Sequence, residues 1–302
     1  FISPIYWLYT SRAHTNVCLD NYFDAIKDID SAQVMDNNLE IILEKADVNR
    51  AFGFFEKAIE NYNEILKNKR LKNPEDVFAT KAKTNFEIAS QLSSMKNRGI
   101  NEIVFYSDSI NNLVSKINYK DYKNKYGESP EKEFFIRAHK DFNNAIELSP
   151  DISYFYVGRA RTRLSLGLIN EALEDFESAV KIAPQKAWKY HVEKAKINIE
   201  LNQNLEQQAL FELNLAIKKV PEKEKASLAG LYFQRALLED KLNDWSKSLR
   251  DYDTALNQYD KSSKNFIFLL ENKGGGSGAP CLLENFKEIS WKILPDKPLE
   301  II

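Results

Sequence analysis

The segment Ser153–Pro184 limits the fold most tightly, because its order of small and large side chains returns along the chain. Tyr156, Ala160 and Leu164 recur every four residues, Gly167 interrupts, and Ala172, Phe176, Ala179 and Val180 follow before Pro184. Apolar positions three and four apart describe one face of a helix, while Gly and Pro punctuate it. The unit is therefore two helices and a turn in about 34 residues. Its small side chains let the paired helices approach closely, and the aromatic at Phe176 fills the space toward a neighbour. One such pair cannot bury its apolar face alone, so units must stack.

The same order appears at Tyr9, Ala13, Ala25, Ile29 and Ala32, and again at Ile42, Ala46, Ala58, Tyr62 and Ile65. It returns at Ala138, Phe142 and Ala145 in a helix opened by Ser129–Pro130 and ended by Pro150. Ala195, Ala209, Leu213, Ala216 and Pro221 form another copy with a turn one residue longer. Tyr232, Ala236, Ser248, Tyr252 and Ala255 form the last. In the middle, Phe78, Ala82, Phe86 and Ala89 mark a long helix, and the stretch 101–117 reads as its helical partner across Gly99. The Lys/Tyr-rich run 119–127 is either a stunted first helix or a loop. Unit starts then fall at 6, 39, 75, 119, 153, 188 and 229. That gives about seven units, followed by a capping helix at 264–273 and a repeat array over 1–273.

These residues resemble the tetratricopeptide repeat (TPR), whose pattern is W-x2-L-G-x2-Y, then A-x3-F, then P. The second helix matches well. The first departs, with Arg159 and Arg163 where the family usually has Leu and Tyr. The resemblance implies an all-α, right-handed superhelical solenoid of helix-turn-helix repeats whose concave wall is lined by the first helix of each unit. It also implies ligand-contacting positions 2, 5, 9 and 12. Carried over, these are Tyr154, Val157, Arg161 and Leu164, then Lys189, Val192, Lys196 and Ile199, then Phe233, Leu237 and Asp240. In the first unit they are Trp7, Thr10, His14 and Val17. The expected groove is apolar with interspersed cations, suited to a hydrophobic helix carrying Glu, with Arg159, Arg161 and Arg163 as a basic edge. The family subclass that clamps C-terminal carboxylates is not matched by Thr10, Ser11 and His14 or by Leu43, Glu44 and Asp47. This argues against Hsp70/Hsp90 tails as partners.

Glycine separates the array from the C-terminal tail. Four of the 10 glycines lie within Gly274–Gly278, a flexible linker that reads as an engineered joint. Beyond it, Leu282, Phe286, Ile289 and Ile293, with Leu283 and Trp291, form the apolar face of a short amphipathic helix ending at Pro295. An isolated helix of this length is marginal in water, so 279–302 reads as a fused peptide ligand anchored by those six side chains. Five linker residues reach at most about 18 Å, which would begin its docking near the C-terminal units.

Sites for chemistry are missing from the pattern. His14, His139 and His191 lie in three different units and read as surface or groove residues, and acidic pairs such as Glu174–Asp175 read as solvated. No HExxH, CxxC, GxxxxGK[ST] or GxSxG occurs. Cys18 and Cys281 belong to no metal or disulfide motif. Forty-two basic against 44 acidic residues give a net charge of −2, which disfavours nucleic-acid binding by bulk charge. No apolar run approaches the ~20 residues of a membrane span. The chain opens at Phe1 without an initiator methionine or a secretory pattern and reads as a trimmed or mature fragment, so its localisation stays unknown. The expectation is a non-enzymatic adaptor without cofactors that takes a short helical segment of a partner protein, here supplied by 279–302. The alternative is a structural subunit of a larger assembly, with 279–302 as its own cap.

Overall fold

A computed structural model describes residues 5–36, 38–107, 112–200 and 205–258. The expected capping helix, linker and amphipathic tail lie outside the described residues. The chain divides into two compact bodies, one running to Asp175 and one starting at Phe176.

In the first body, α1 (Tyr6–Cys18) pairs with α2 (Tyr22–Met35), and α3 (Leu39–Ala51) with α4 (Phe55–Leu66). Local chemistry sets these limits. Asn21 and Asn38 cap α2 and α3 by accepting from the backbone N–H of Asp24 and Ile41. The small residues that define the repeat, Ala13, Ala25, Ala46 and Ala58, are fully buried where paired helices approach. Tyr62 fills its predicted inter-unit space with no exposed surface.

The third hairpin corrects the sequence reading. The long helix α5 (Pro74–Arg98) starts with Pro74 in its first turn and ends at Gly99 in the left-handed region (φ 65°). The expected helix at 101–117 is instead an antiparallel hairpin of β1 (Glu102–Ser107) and β2 (Asn112–Asn118). Glu102 pairs with Asn118 and Ile103 with Ile117, and the register is irregular between Phe105 and Tyr106. The reason is composition. Ile103, Val104, Phe105 and Tyr106 on one side and Val114 and Ile117 on the other favour a pleated surface over a helix. A short helix, α6 (Tyr119–Tyr126), follows.

The helix that packs along α5 is α7 (Pro130–Leu148). The starts expected at 75 and 119 therefore belong to one repeat with residues 99–129 inserted in its turn. Among the described residues the array has six hairpins rather than seven units. The insertion folds back over the α3–α4 turn. The Phe105 ring lies against Gly53 (φ 78°), where any Cβ would stand 2.5 Å from the ring. Ser115 donates to the carbonyl of Phe52 at 2.6 Å, and Lys125 and Tyr126 donate to Glu56.

The fourth hairpin consists of α8 (Ser153–Ser165) and α9 (Ile169–Ile182), joined through Gly167 at φ 79°. In the second body, α10 (Ala187–Glu200) pairs with α11 (Glu206–Lys219), and α12 (Ala226–Lys241) with α13 (Trp245–Gln258).

A candidate interaction face and its buried charges

Each hairpin carries a cation at position 7 of its repeat unit, on the first helix and one residue before the small residue of the repeat. Arg12, Lys45, Lys81, Arg159, Lys194 and Arg235 occupy it. In five hairpins this cation meets an acid one residue before the Phe/Tyr position of the second helix. Arg12 grips Asp28, Arg159 grips Asp175 and Arg235 grips Asp251, each through two nitrogens and each 16 residues apart. Lys81 reaches Asp141 at 3.1 Å across the insertion, and Lys194 reaches Glu212 at 2.9 Å. In the second hairpin the acid is replaced by Asn61, and Lys45 turns back to Asp30 of α2 at 2.9 Å. All five acids are at most 6% exposed.

These cations also tie neighbouring hairpins. Arg159 donates to Asn143 of α7, Arg235 to Asn214 of α11, and Lys194 lies 3.6 Å from Glu177. Two-pronged guanidinium–carboxylate pairs fix geometry as well as charge. Buried, they offer little net stability while intact, but losing one partner costs about 3–5 kcal/mol. The arginines that break the family pattern are thus structural ties.

This corrects two expectations. Arg159 and Arg163 are not a free basic edge, since both hold Asp175, which is 2% exposed and not solvated.

A second row of charges runs along the first helices of the first body. There α1 lies against α3 and α5 against α8, and Arg50 donates from α3 to Glu87 of α5 at 3.0 Å. His14 Nδ1 stands 3.3 Å from Glu44, and Asp47 accepts from the Tyr62 hydroxyl at 2.8 Å. Burial holds the Glu44 and Glu87 carboxyls above the usual carboxylate range, the latter despite Arg50 and Lys83. Burial, with Arg50 close by, pushes the Lys83 ammonium below the usual lysine range. Lys83 makes no direct ion pair among the described residues, and Arg50 Nε is buried without a hydrogen-bond partner there, Asp47 standing 3.9 Å away.

The sequence-predicted groove residues divide. Val157 (2% exposed), Val192 (4%) and Phe233 (0%) are core residues, because neighbouring helices close over them. Val192 packs with Trp188, and Phe233 stands 5.9 Å from the Tyr252 ring. Tyr154 is half-buried and donates to Asp76 at 2.9 Å. Lys189 pairs with Glu224 and Lys196 with Glu193. Leu164 and Leu237 are partly buried, Leu237 against the Phe233 cluster. Arg161 remains at the face, close enough to lower Lys83. Trp7 is 51% exposed on α1. The anchors Leu282, Leu283, Phe286, Ile289, Trp291 and Ile293 lie outside the described residues.

His191, expected at the surface or in the groove, is buried at 7% exposure with its Nδ1 2.6 Å from Glu212. Burial would raise Glu212, but hydrogen bonds from His191 and Lys194 hold it below the usual carboxylate range. Arg50, Lys83 and Glu87 do not stand out from sequence, and Asp47 enters it only as a mismatch to the carboxylate clamp. Positions 9 and 12, applied to the second unit, would have named Asp47 and Arg50 as face residues. Among the described residues no cluster of three or more His, Cys, Asp or Glu side chains is placed to hold a metal ion, and no helix is long and apolar enough to cross a membrane.

No protein-family profile matches the chain. A TPR repeat-containing protein of Methanocaldococcus jannaschii is 28% identical over 247 residues, covering 80% of this chain and 37% of that protein. The human IFIT1 dimer with PPP-AAAA superposes with a TM-score of 0.52 at 13% identity, over 84% of this chain and 55% of IFIT1. The thermophilic TPR protein TTC0263 of Thermus thermophilus gives a TM-score of 0.41 at 11% identity, over 90% and 98% of the two chains. This chain therefore spans well under two thirds of both the archaeal relative and IFIT1. The likeness to IFIT1 is one of fold.

Proposed function

Starting from a tetratricopeptide-repeat fold, we propose that this chain is a non-enzymatic interaction adaptor whose first-helix face takes a short segment of a partner protein. One observation carries the reading: Lys83, half-buried with Arg50 and Arg161 nearby, makes no direct ion pair among the described residues, and the carboxyls of Glu87 and Asp47 that act on it are already engaged by Arg50 and Tyr62. A partner segment with an acidic side chain supplies that ion pair. The segment 279–302 is the occupant this chain itself provides, its apolar anchors Leu282, Phe286, Ile289 and Ile293 on one helical face and Glu284 and Glu288 on the other. The face is more charged than the apolar groove expected from sequence, so recognition rests on ion pairs around an apolar stripe.

A protease site placed within Gly274–Gly278 tests this. After cleavage the released segment should rebind, and Lys83→Ala and Arg50→Ala should each weaken it at least about fivefold, in the range of a charge-assisted hydrogen bond. No rebinding at several hundred micromolar overturns the segment as ligand. Loss of stability on cleavage without rebinding identifies 279–302 as the protein's own cap. Because IFIT1 has been solved with PPP-AAAA, that RNA belongs in the same titration. Saturable RNA binding abolished by Lys83→Ala would replace the protein-partner reading.

A further inference from the structure

The last hairpin breaks a rule that the first four obey. Four residues after the cation at position 7, one helical turn on, stands a side chain that donates to, or pairs by charge with, the acid or amide at position 23. Asn16 donates to Asp28 at 3.2 Å, Asn49 to Asn61 at 3.4 Å and Asn85 to Asp141 at 3.0 Å. In the fourth hairpin Arg163 reaches Asp175 at 2.7 Å. In the sixth, the corresponding residue is Glu239, a carboxyl set beside the carboxylate of Asp251. It is 6% exposed, its Oε1 is 4.0 Å from Arg235, and its Oε2 has no hydrogen-bond partner among the described residues.

Glu239 opens onto a cleft of about 740 Å³ between α11, α12 and α13, with Leu210, Phe211 and Tyr232 on its apolar side. Phe211 is 61% exposed. The cations at this cleft are already engaged in part: Lys247 pairs with Asp244, Arg250 Nε donates to the Ser246 carbonyl, and Arg235 holds Asp251. What the site lacks is a donor between two carboxyls.

We propose that this cleft receives an arginine side chain of a partner polypeptide, its guanidinium pairing with Glu239 and Asp251 as that of Arg163 pairs with Asp175. The forked donor spans two carboxyls where an ammonium offers a single point charge. The aliphatic stem lies along Leu210, Phe211 and Tyr232. The site belongs to the second body and does not rest on the reading of the first-helix face.

Burial, and then the Asp251 charge, hold the Glu239 carboxyl up at about 7. The charged groups around it are Arg235 on its own helix, Asp251, Lys247 and Arg250 on α13, and Asp244 in the connecting turn, while α11 offers the neutral Gln207 and Asn214. Arginine binding should therefore strengthen about tenfold from pH 6 to pH 8 as Glu239 ionises.

The test titrates the full chain with acetyl-Leu-Arg-Leu-amide and its citrulline counterpart, followed by NMR. The arginine peptide should bind at least about tenfold more tightly at pH 8, the gap should narrow at pH 6, and Glu239→Asn should abolish it. Asparagine is the residue of the first three hairpins at this position, so the variant keeps the fold, and Glu239→Gln serves as a second reading. Equal binding of the two peptides, a preference that survives both variants, or no binding at about 10 mM overturns the proposal.

Discussion

The fourth and sixth hairpins share a bidentate Arg–Asp tie over the same 16 residues, and they part at one position. Arg163 adds a second cation to Asp175, whereas Glu239 adds a second carboxyl beside Asp251. The scaffold needs only the first tie to join its helices. The residue one turn further on is then free to close the site with the chain's own donor or to leave it open.

The largest effect should come from removing the shared acid. Asp175→Ala removes the carboxylate shared by Arg159 and Arg163, whose side chains are 16% and 18% exposed and which keep only the neutral acceptors Asn143 and the Glu171 carbonyl, and should cost about 3–5 kcal/mol in urea unfolding. Asp251→Ala leaves Arg235 able to turn to Glu239, so its loss should be about half as large. Equal losses would mean that Glu239 gives Arg235 nothing.

Glu239→Asn should have the opposite sign. With the carboxyl held at about 7 in the fold against an ordinary 4.5, its stabilising protonation is complete below pH 4.5 and is lost as pH rises through 7. The variant should match the native chain near pH 4.5 and exceed it by on the order of 1–3 kcal/mol at pH 8, as read from paired denaturation curves. A gap independent of pH would break the comparison.

Gly158→Ala probes a feature of the fourth hairpin alone. A Cβ there would stand 2.3 Å from the Phe142 ring, so a loss of about 1–3 kcal/mol is expected, with partial rescue by Phe142→Leu, the residue type found at Leu213. The smallest effects belong to the ties between hairpins. Asn143→Ala should cost about 1 kcal/mol, and Asn214→Ala less because its bond to Arg235 is exposed.

The helical pairs are legible because small and aromatic positions recur at helical spacing, and Ala160, Phe176 and their counterparts are buried as that spacing requires. The 101–117 hairpin is hidden because the repeat template demands a helix there, and the strand alternation of Ile103 and Phe105 is too short to overrule it. The charged ties are visible in composition but not in meaning. Arg159 and Arg163 stand out as departures from the family pattern, yet nothing local to them says that Asp175 lies against both. The face is half legible. Rules of position lead to Arg161, but also to Val157, Val192 and Phe233, which packing removes from the surface.

Outside residues 99–129, the sequence by itself determined where the repeat helices start and stop and that they must stack, since capping, turn residues and apolar spacing act within a few residues of one another. The tertiary structure alone decided which helix answers α5 across a 31-residue insertion (residues 99–129), which charges are buried, and which carboxyl lacks a donor. Those outcomes depend on groups 16 to 60 residues apart meeting in a low-dielectric interior, where a missing partner costs far more than it would in water.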